Sequence, residues 1–184
     1  MIRDRLIDSR RVTDAGTTAQ HLAAEYRAAA VALCACAFAF DAFYGSVYAV
    51  MPTRPTRPRG GRRTPRHRWI TETLRQAFHL GPNTTKEVRT FLKKLFDARD
   101  AAVHAPAGFR DAVLREDLDI GTEWRFAVFT ARNARTALAS AEQVIYMCLV
   151  QPQTGVMQQG AEPSRQHLLR LAVGPMPALG ASQI

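Results

Sequence analysis

Arg99, Asp100 and His104 are the residues whose types and spacing suit chemistry on a phosphate. A guanidinium can fork onto phosphate oxygens, and an imidazole can take or give a proton near neutral pH. On an ideal helix, at about 100° per residue, Asp100 and His104 share nearly one face, so Asp100 can accept a hydrogen bond from the imidazole and fix its tautomer. Arg99 lies roughly 140° from His104 on the same helix. The two converge only if the last turn loosens or a second copy of the chain supplies one of them. Pro106 favours loosening, because it biases Ala105 away from helix. The competing reading is a solvated helix end with His104 set against the helix dipole. The same Arg-His interval recurs at Arg62 and His67 inside a Pro/Gly-rich stretch, so the spacing needs its context.

The context is helical. Val88, Phe91, Leu92, Leu95 and Phe96 recur three and four apart and give the preceding segment one apolar face. Thr84 through Glu87 fits a capping box that opens this helix. Upstream, residues 19–51 read as one long helix, with Thr13-Asp14 or Thr17-Thr18 as its cap. Leu22, Tyr26, Ala29, Leu33, Ala37, Phe40 and Tyr44 trace one stripe on it, and Cys34, Phe38, Asp41, Gly45 and Tyr48 trace a second, as in a helix packed on two sides. Gly45 marks a break or a close helix contact. Asp41 sits on an apolar face and needs a partner. It either serves as a structural ion pair or faces Arg99 and His104 and positions them; both readings stay open.

Arginine carries the positive charge of this 184-residue chain, which has only three lysines and a net charge of +9. Arg54, Arg57, Arg59, Arg62, Arg63, Arg66 and Arg68 fall in one acid-free stretch, and +9 less these seven leaves about +2. The prolines at 52, 55, 58 and 65 and Gly60-Gly61 exclude regular structure over residues 52–68. That stretch is either a solvated, disordered loop or an electrostatic arm for RNA phosphates; no aromatic is interleaved for base stacking. Three cysteines without metal-type spacing argue against a disulfide scaffold and a zinc site, and point to a reducing cytoplasm. The apolar run 28–51 is long enough to raise the membrane question, but a carboxylate near its middle favours a buried helix of a soluble bundle, with no membrane partner. No secretory leader is evident.

A further short helix starts near Pro65 or Arg68, carries Trp69, Ile70, Leu74, Ala77 and Phe78, and ends at Leu80-Gly81-Pro82. Residues 105–121 read as a connection whose acids Glu116, Asp117 and Asp119 are solvated. Thr122 caps a last helix to about residue 150, with Trp124, Ala127, Val128, Ala131, Ala134, Leu138, Ala141, Ile145, Cys148 and Leu149 on its buried side. Arg125, Arg132 and Arg135 lie at a cleft edge or on the surface. No strand signal emerges. The expected organisation is an all-α bundle of about four main helices: a basic arm over 1–18, the bundle over 19–150, and a flexible tail over 151–184.

The Arg-Asp-x-x-x-His string ends an amphipathic helix, stops at a proline, and follows an Ala-rich helix carrying Phe40-Asp41-Ala42-Phe43-Tyr44. Over roughly residues 19–150 this resembles the HEPN superfamily, whose hallmark is Arg, a polar residue, and His four to six residues after the Arg. The resemblance implies a helical homodimer in which the motifs of two chains line one cleft. It also implies a metal-independent endoribonuclease of toxin or defence type, with no cofactor and a separate antitoxin as partner. His104 would then be the general acid or base, Arg99 would hold the scissile phosphate, and Asp100 would orient His104, with Asp41 supporting. Some family toxins carry a tyrosine two residues after the histidine; Pro106 stands there, which puts that form of control in doubt. Two further readings remain: a catalytically inactive HEPN-like module binding RNA, nucleotide or protein, and a small membrane protein.

Overall fold

The computed structural model describes the backbone of residues 2–51, 53–55, 64–104, 111–115 and 117–150, with side chains from residue 16 to 149 within them. The tail 151–184, Arg57, Arg59, Arg62, Arg63, Pro106 and Glu116 lie outside the described residues.

The described residues are mostly helical. α1 spans Ile2–Val50, α2 Arg66–Phe78, α3 Pro82–Val103, α4 Trp124–Val128 and α5 Ala131–Val150. Two short strands, β1 (Val113–Arg115) and β2 (Ile120–Thr122), pair antiparallel between α3 and α4, with Leu114 opposite Gly121. This hairpin corrects the expectation of a strandless connection over 105–121. Three-residue strands fall below the length at which alternation can be read. Asp119 closes the turn with φ of 50°, a left-handed conformation that an aspartate tolerates, and the Leu118 N–H donates to the Arg115 carbonyl at 3.1 Å.

α1 begins well before the expected caps. No proline or glycine interrupts it before Gly16, and one helical glycine costs only about 1 kcal/mol relative to alanine. Its buried positions are Ala29, Leu33, Cys36, Ala37, Phe40, Phe43 and Val47. The second expected stripe is not a packing face: Phe38 is 57% exposed, Gly45 is exposed, and Cys34, Asp41 and Tyr48 are half-buried. Gly45 neither breaks the helix nor meets a close neighbour, since a Cβ there would have nothing within 4 Å. Residues Gly16–Val50 are long and apolar enough to cross a bilayer, and 33% of the apolar window is buried within the chain.

The chain forms two compact units. One comprises Met1–Cys36 and Asp97–Leu138. In it the Tyr26 ring meets Phe129 edge-on at 5.2 Å and Phe126 at 5.6 Å. The other comprises Ala37–Phe96 and Ala139–Ile184. Its core is apolar side chains from the second half of α1, α2, α3 and α5. Phe40 meets Phe91 edge-on at 5.7 Å and Phe43 stacks on Phe78 at 6.2 Å. Aromatic pairs in these geometries stabilise by roughly 1 kcal/mol beyond their burial.

The helix boundaries depart from the expected caps in two places. α3 starts at Pro82, where a missing N–H costs nothing. Thr84 therefore lies inside the first turn, and the Thr85 hydroxyl donates back to Gly81 O at 2.8 Å. The last helix does not run unbroken from Thr122. It stops at Phe129, whose side chain is fully buried, and restarts at Ala131. Thr130 Oγ1 accepts the Asn133 N–H at 3.1 Å, a helix N-cap, and Glu25 Oε1 accepts the Ala131 N–H at 2.8 Å. Val128 and Leu138, expected on the buried side, are 36% and 48% exposed.

Candidate functional site

α3 carries the motif to its very end. Leu92, Leu95 and Phe96 anchor the helix, and Asp97 through Val103 continue it. The His104 N–H still donates to Asp100 O at 2.8 Å, so helical geometry extends to His104 and the last described turn does not loosen. At about 100° per residue, Arg99 and His104 therefore leave the helix roughly 140° apart.

Asp100 turns to Arg99 and not to His104. Arg99 Nε donates to Asp100 Oδ1 at 3.0 Å, and Nη2 reaches the same oxygen. The Asp100 side chain is 56% exposed. Among the described residues no hydrogen bond joins Asp100 to the His104 imidazole, and His104 is exposed. Arg99 is the more enclosed partner, and its positive charge pulls the Cys34 thiol down against the stronger upward push of burial. The Arg99 guanidinium thus lies close to α1 at Cys34, while His104 faces solvent.

Asp41 has a partner of its own. Arg66 Nε donates to Asp41 Oδ1 at 2.6 Å, and the Arg66 guanidinium lies 4.5 Å over the Tyr44 ring. A half-exposed pair of this kind holds the start of α2 against α1 and contributes little more than about 1 kcal/mol. It also withdraws Arg66 from the set of freely solvated arginines. Arg54 and Arg68 are exposed.

Sequence reasoning passed over Arg115, among the described residues the most enclosed charged side chain, at 6% exposure. Its Nη2 lies 2.7 Å from Glu25 Oε2 and 2.9 Å from Asp117 Oδ2, its Nε donates to Asp117 Oδ1 at 2.9 Å, and its Nη1 donates to Phe126 O at 3.3 Å. The Asp117 hydrogen bond, with Glu25 behind it, raises the arginine further above its usual range, and Arg115 holds Asp117 below the usual carboxylate range. Asp117 is therefore paired rather than merely solvated. Glu25 and Asp41 are the two acids of the Ala-rich part of α1 after Gly16, and that was the available signal. These four interactions hold β1, α1 and α4 together.

Elsewhere the site chemistry is thin. Burial pushes Cys36 up and Cys148 up to about 12. Arg125 pairs with Glu123 at 2.8 Å, and Arg132 and Arg135 are exposed. A groove of about 190 Å³ runs past Glu87, Phe91, Gln143 and Met147. A wider one, about 330 Å³, lies at Arg75, Gln76, His79 and Leu80. Neither is lined by Arg99, Asp100 or His104. Among the described residues no group of three His, Cys, Asp or Glu is placed to hold a metal ion. Comparison with family models, with curated proteins and with solved structures finds no match to this chain.

Proposed function

We propose that the chain is a metal-independent, HEPN-like endoribonuclease acting as a homodimer. The observation that carries this reading is the end of α3, where Arg99 and His104 stand five residues apart and the His104 side chain is exposed. In the proposed reaction His104 takes the proton of a ribose 2′-hydroxyl, or protonates the leaving 5′-oxygen. The 2′-oxygen attacks phosphorus, the bond to the leaving oxygen breaks, and the product carries a 2′,3′-cyclic phosphate. Arg99 binds the phosphate and stabilises the charge building on its oxygens. Because Arg99 and His104 diverge on one helix, the working pair combines Arg99 of one copy with His104 of the other. Asp100 acts by orienting Arg99, the group it touches. The RNA is drawn in by the arginines of residues 52–68, of which Arg54 and Arg68 are exposed.

The inactive binding module is favoured by one observation: the Asp100 carboxylate turns to Arg99, and among the described residues it makes no hydrogen bond to His104. The test is labelled RNA with EDTA present, wild type against His104→Ala, a change at an exposed position that leaves the fold intact. Cleavage by wild type with cyclic phosphate ends, reduced about 10²- to 10⁴-fold in the variant, is the expected result. Equal cleavage by both proteins, or RNA binding without cleavage that disappears when residues 52–68 are neutralised, overturns the ribonuclease reading.

A further inference from the structure

The arginine stretch 54–68 contains no Phe, Tyr or Trp, and phosphate contacts alone give no hold on a base. α1 supplies the missing rings. Tyr44 and Tyr48 stand one turn apart near its end, both half-buried, with ring centroids 5.7 Å apart and planes tilted by only 32°. Phe43 and Val47 beside them take the buried positions, so the tyrosines form the rim of that core and not its centre. Next to them on the helix, Gly45 and Ala49 are exposed. A Cβ at Gly45 would meet nothing within 4 Å, so a flat group can approach the rings on that side.

The returning end of the arginine stretch is fixed at the same place. Arg66 Nε donates to Asp41 Oδ1 at 2.6 Å, and the guanidinium lies 4.5 Å over the Tyr44 ring. The Arg66 side chain is nonetheless 45% exposed. Its ion pair cancels a carboxylate that would otherwise repel a phosphate. Among the described residues no cation covers the Tyr48 ring. Exposed Arg54 follows shortly after it in the chain. Asp41, Tyr44, Tyr48, Arg54 and Arg66 all belong to one compact unit.

We propose that Tyr48, backed by Tyr44 and Arg66, is a stacking site for a base of single-stranded RNA. The base lies on the Tyr48 ring and extends the stack that the guanidinium and Tyr44 begin. An aromatic face accepts any base, because every base has a π-face. Arg66 keeps its bond to Asp41 and meets the neighbouring phosphate with its outer nitrogens. Paired RNA does not fit, since its bases are already stacked on one another. The site rests on the reading above for RNA as the ligand, but not for its cleavage.

Binding of the full chain to two labelled strands of about 12 nucleotides tests it, read by fluorescence anisotropy. One is 2′-O-methyl oligoadenylate, which lacks the 2′-hydroxyl that cleavage needs. The other has the same backbone and charge but no bases. Wild type is expected to bind the first about 10-fold tighter than the second. Tyr48→Leu is expected to remove most of that preference while leaving affinity for the baseless strand, and the salt dependence of both, unchanged. Tyr48→Trp restores a flat face and is expected to keep the preference. Arg66→Gln is expected to weaken both strands and reduce the salt slope by about 1. A strand carrying 5-iodouracil, which photocross-links to a stacked ring, locates the base without any variant; attachment at Tyr44 or Tyr48 is expected. Equal affinity for the two strands, a preference that Tyr48→Leu leaves intact, or cross-linking only elsewhere overturns the stacking site, and the ribonuclease reading then stands or falls on its own cleavage assay. Binding of neither strand overturns the site and RNA as the ligand together.

Discussion

Two arginines in one unit, Arg99 and Arg115, make the same chemical pair with an aspartate and end in opposite situations. Arg99 pairs with its neighbour in sequence, Asp100, which is 56% exposed, at the end of a helix. Arg115 is 6% exposed and is held by a carboxylate from its own turn, a carboxylate from α1 and a backbone carbonyl near α4. A buried guanidinium with all three nitrogens bonded is a fastener. One tied to an exposed carboxylate beside it in the chain stays within reach of solvent. Burial, and whether the partners come from distant segments, rather than residue type, separate the two arginines.

Replacing each arginine is the most direct way to break this contrast. Arg115→Ala is expected to cost about 3 kcal/mol, the size seen when one member of an enclosed ion pair is removed and the other is stranded. A fall in the urea midpoint without a change of slope would record it. A loss under about 0.5 kcal/mol would place Arg115 with ordinary surface pairs and erase the distinction.

The same junction can be weakened from its other side. Thr130→Ala removes the α5 cap while Glu25 still accepts the Ala131 N–H. About 1 kcal/mol is expected, read by the same denaturation. If Arg115→Ala and Thr130→Ala together cost clearly more than their sum, Glu25 couples the arginine cluster to the start of α5.

Arg99→Gln should change stability least, by no more than about 0.5 kcal/mol. Its effect belongs to Cys34. Arg99 favours the thiolate, so losing its charge moves the Cys34 thiol further up and slows alkylation at fixed pH. Alkylation at an unchanged rate would show that Arg99 stands away from Cys34 in solution and that the guanidinium is freer than its exposure implies.

The helices themselves were largely legible. α2, α3 and α5 come from apolar spacings of three and four, and Leu80-Gly81-Pro82 places the break between α2 and α3 within a residue or two. The hairpin was not legible, because three residues per strand carry no period and its main support is the distant Glu25. The second expected stripe of α1, Cys34, Phe38, Asp41, Gly45 and Tyr48, was misassigned as a packing face for a related reason. Periodicity shows that two faces of a helix are apolar, but it does not show which has a neighbour in the same chain. At the candidate site, the order of residues put Asp100 within reach of either Arg99 or His104.

What the sequence by itself determined is the helical class, the positions of Arg99 and His104 at the end of an amphipathic helix, and the concentration of arginine over residues 52–68. These rest on local spacing, composition and charge, which need no distant contact. Only the tertiary structure decided that Asp41 pairs with Arg66, that Arg115 is enclosed by Glu25 and Asp117, and that Ala28, Val31, Ala35 and Phe38 face outward. Each of those depends on which segment, far along the chain, comes to lie against the residue, and free energy of burial and pairing is set there.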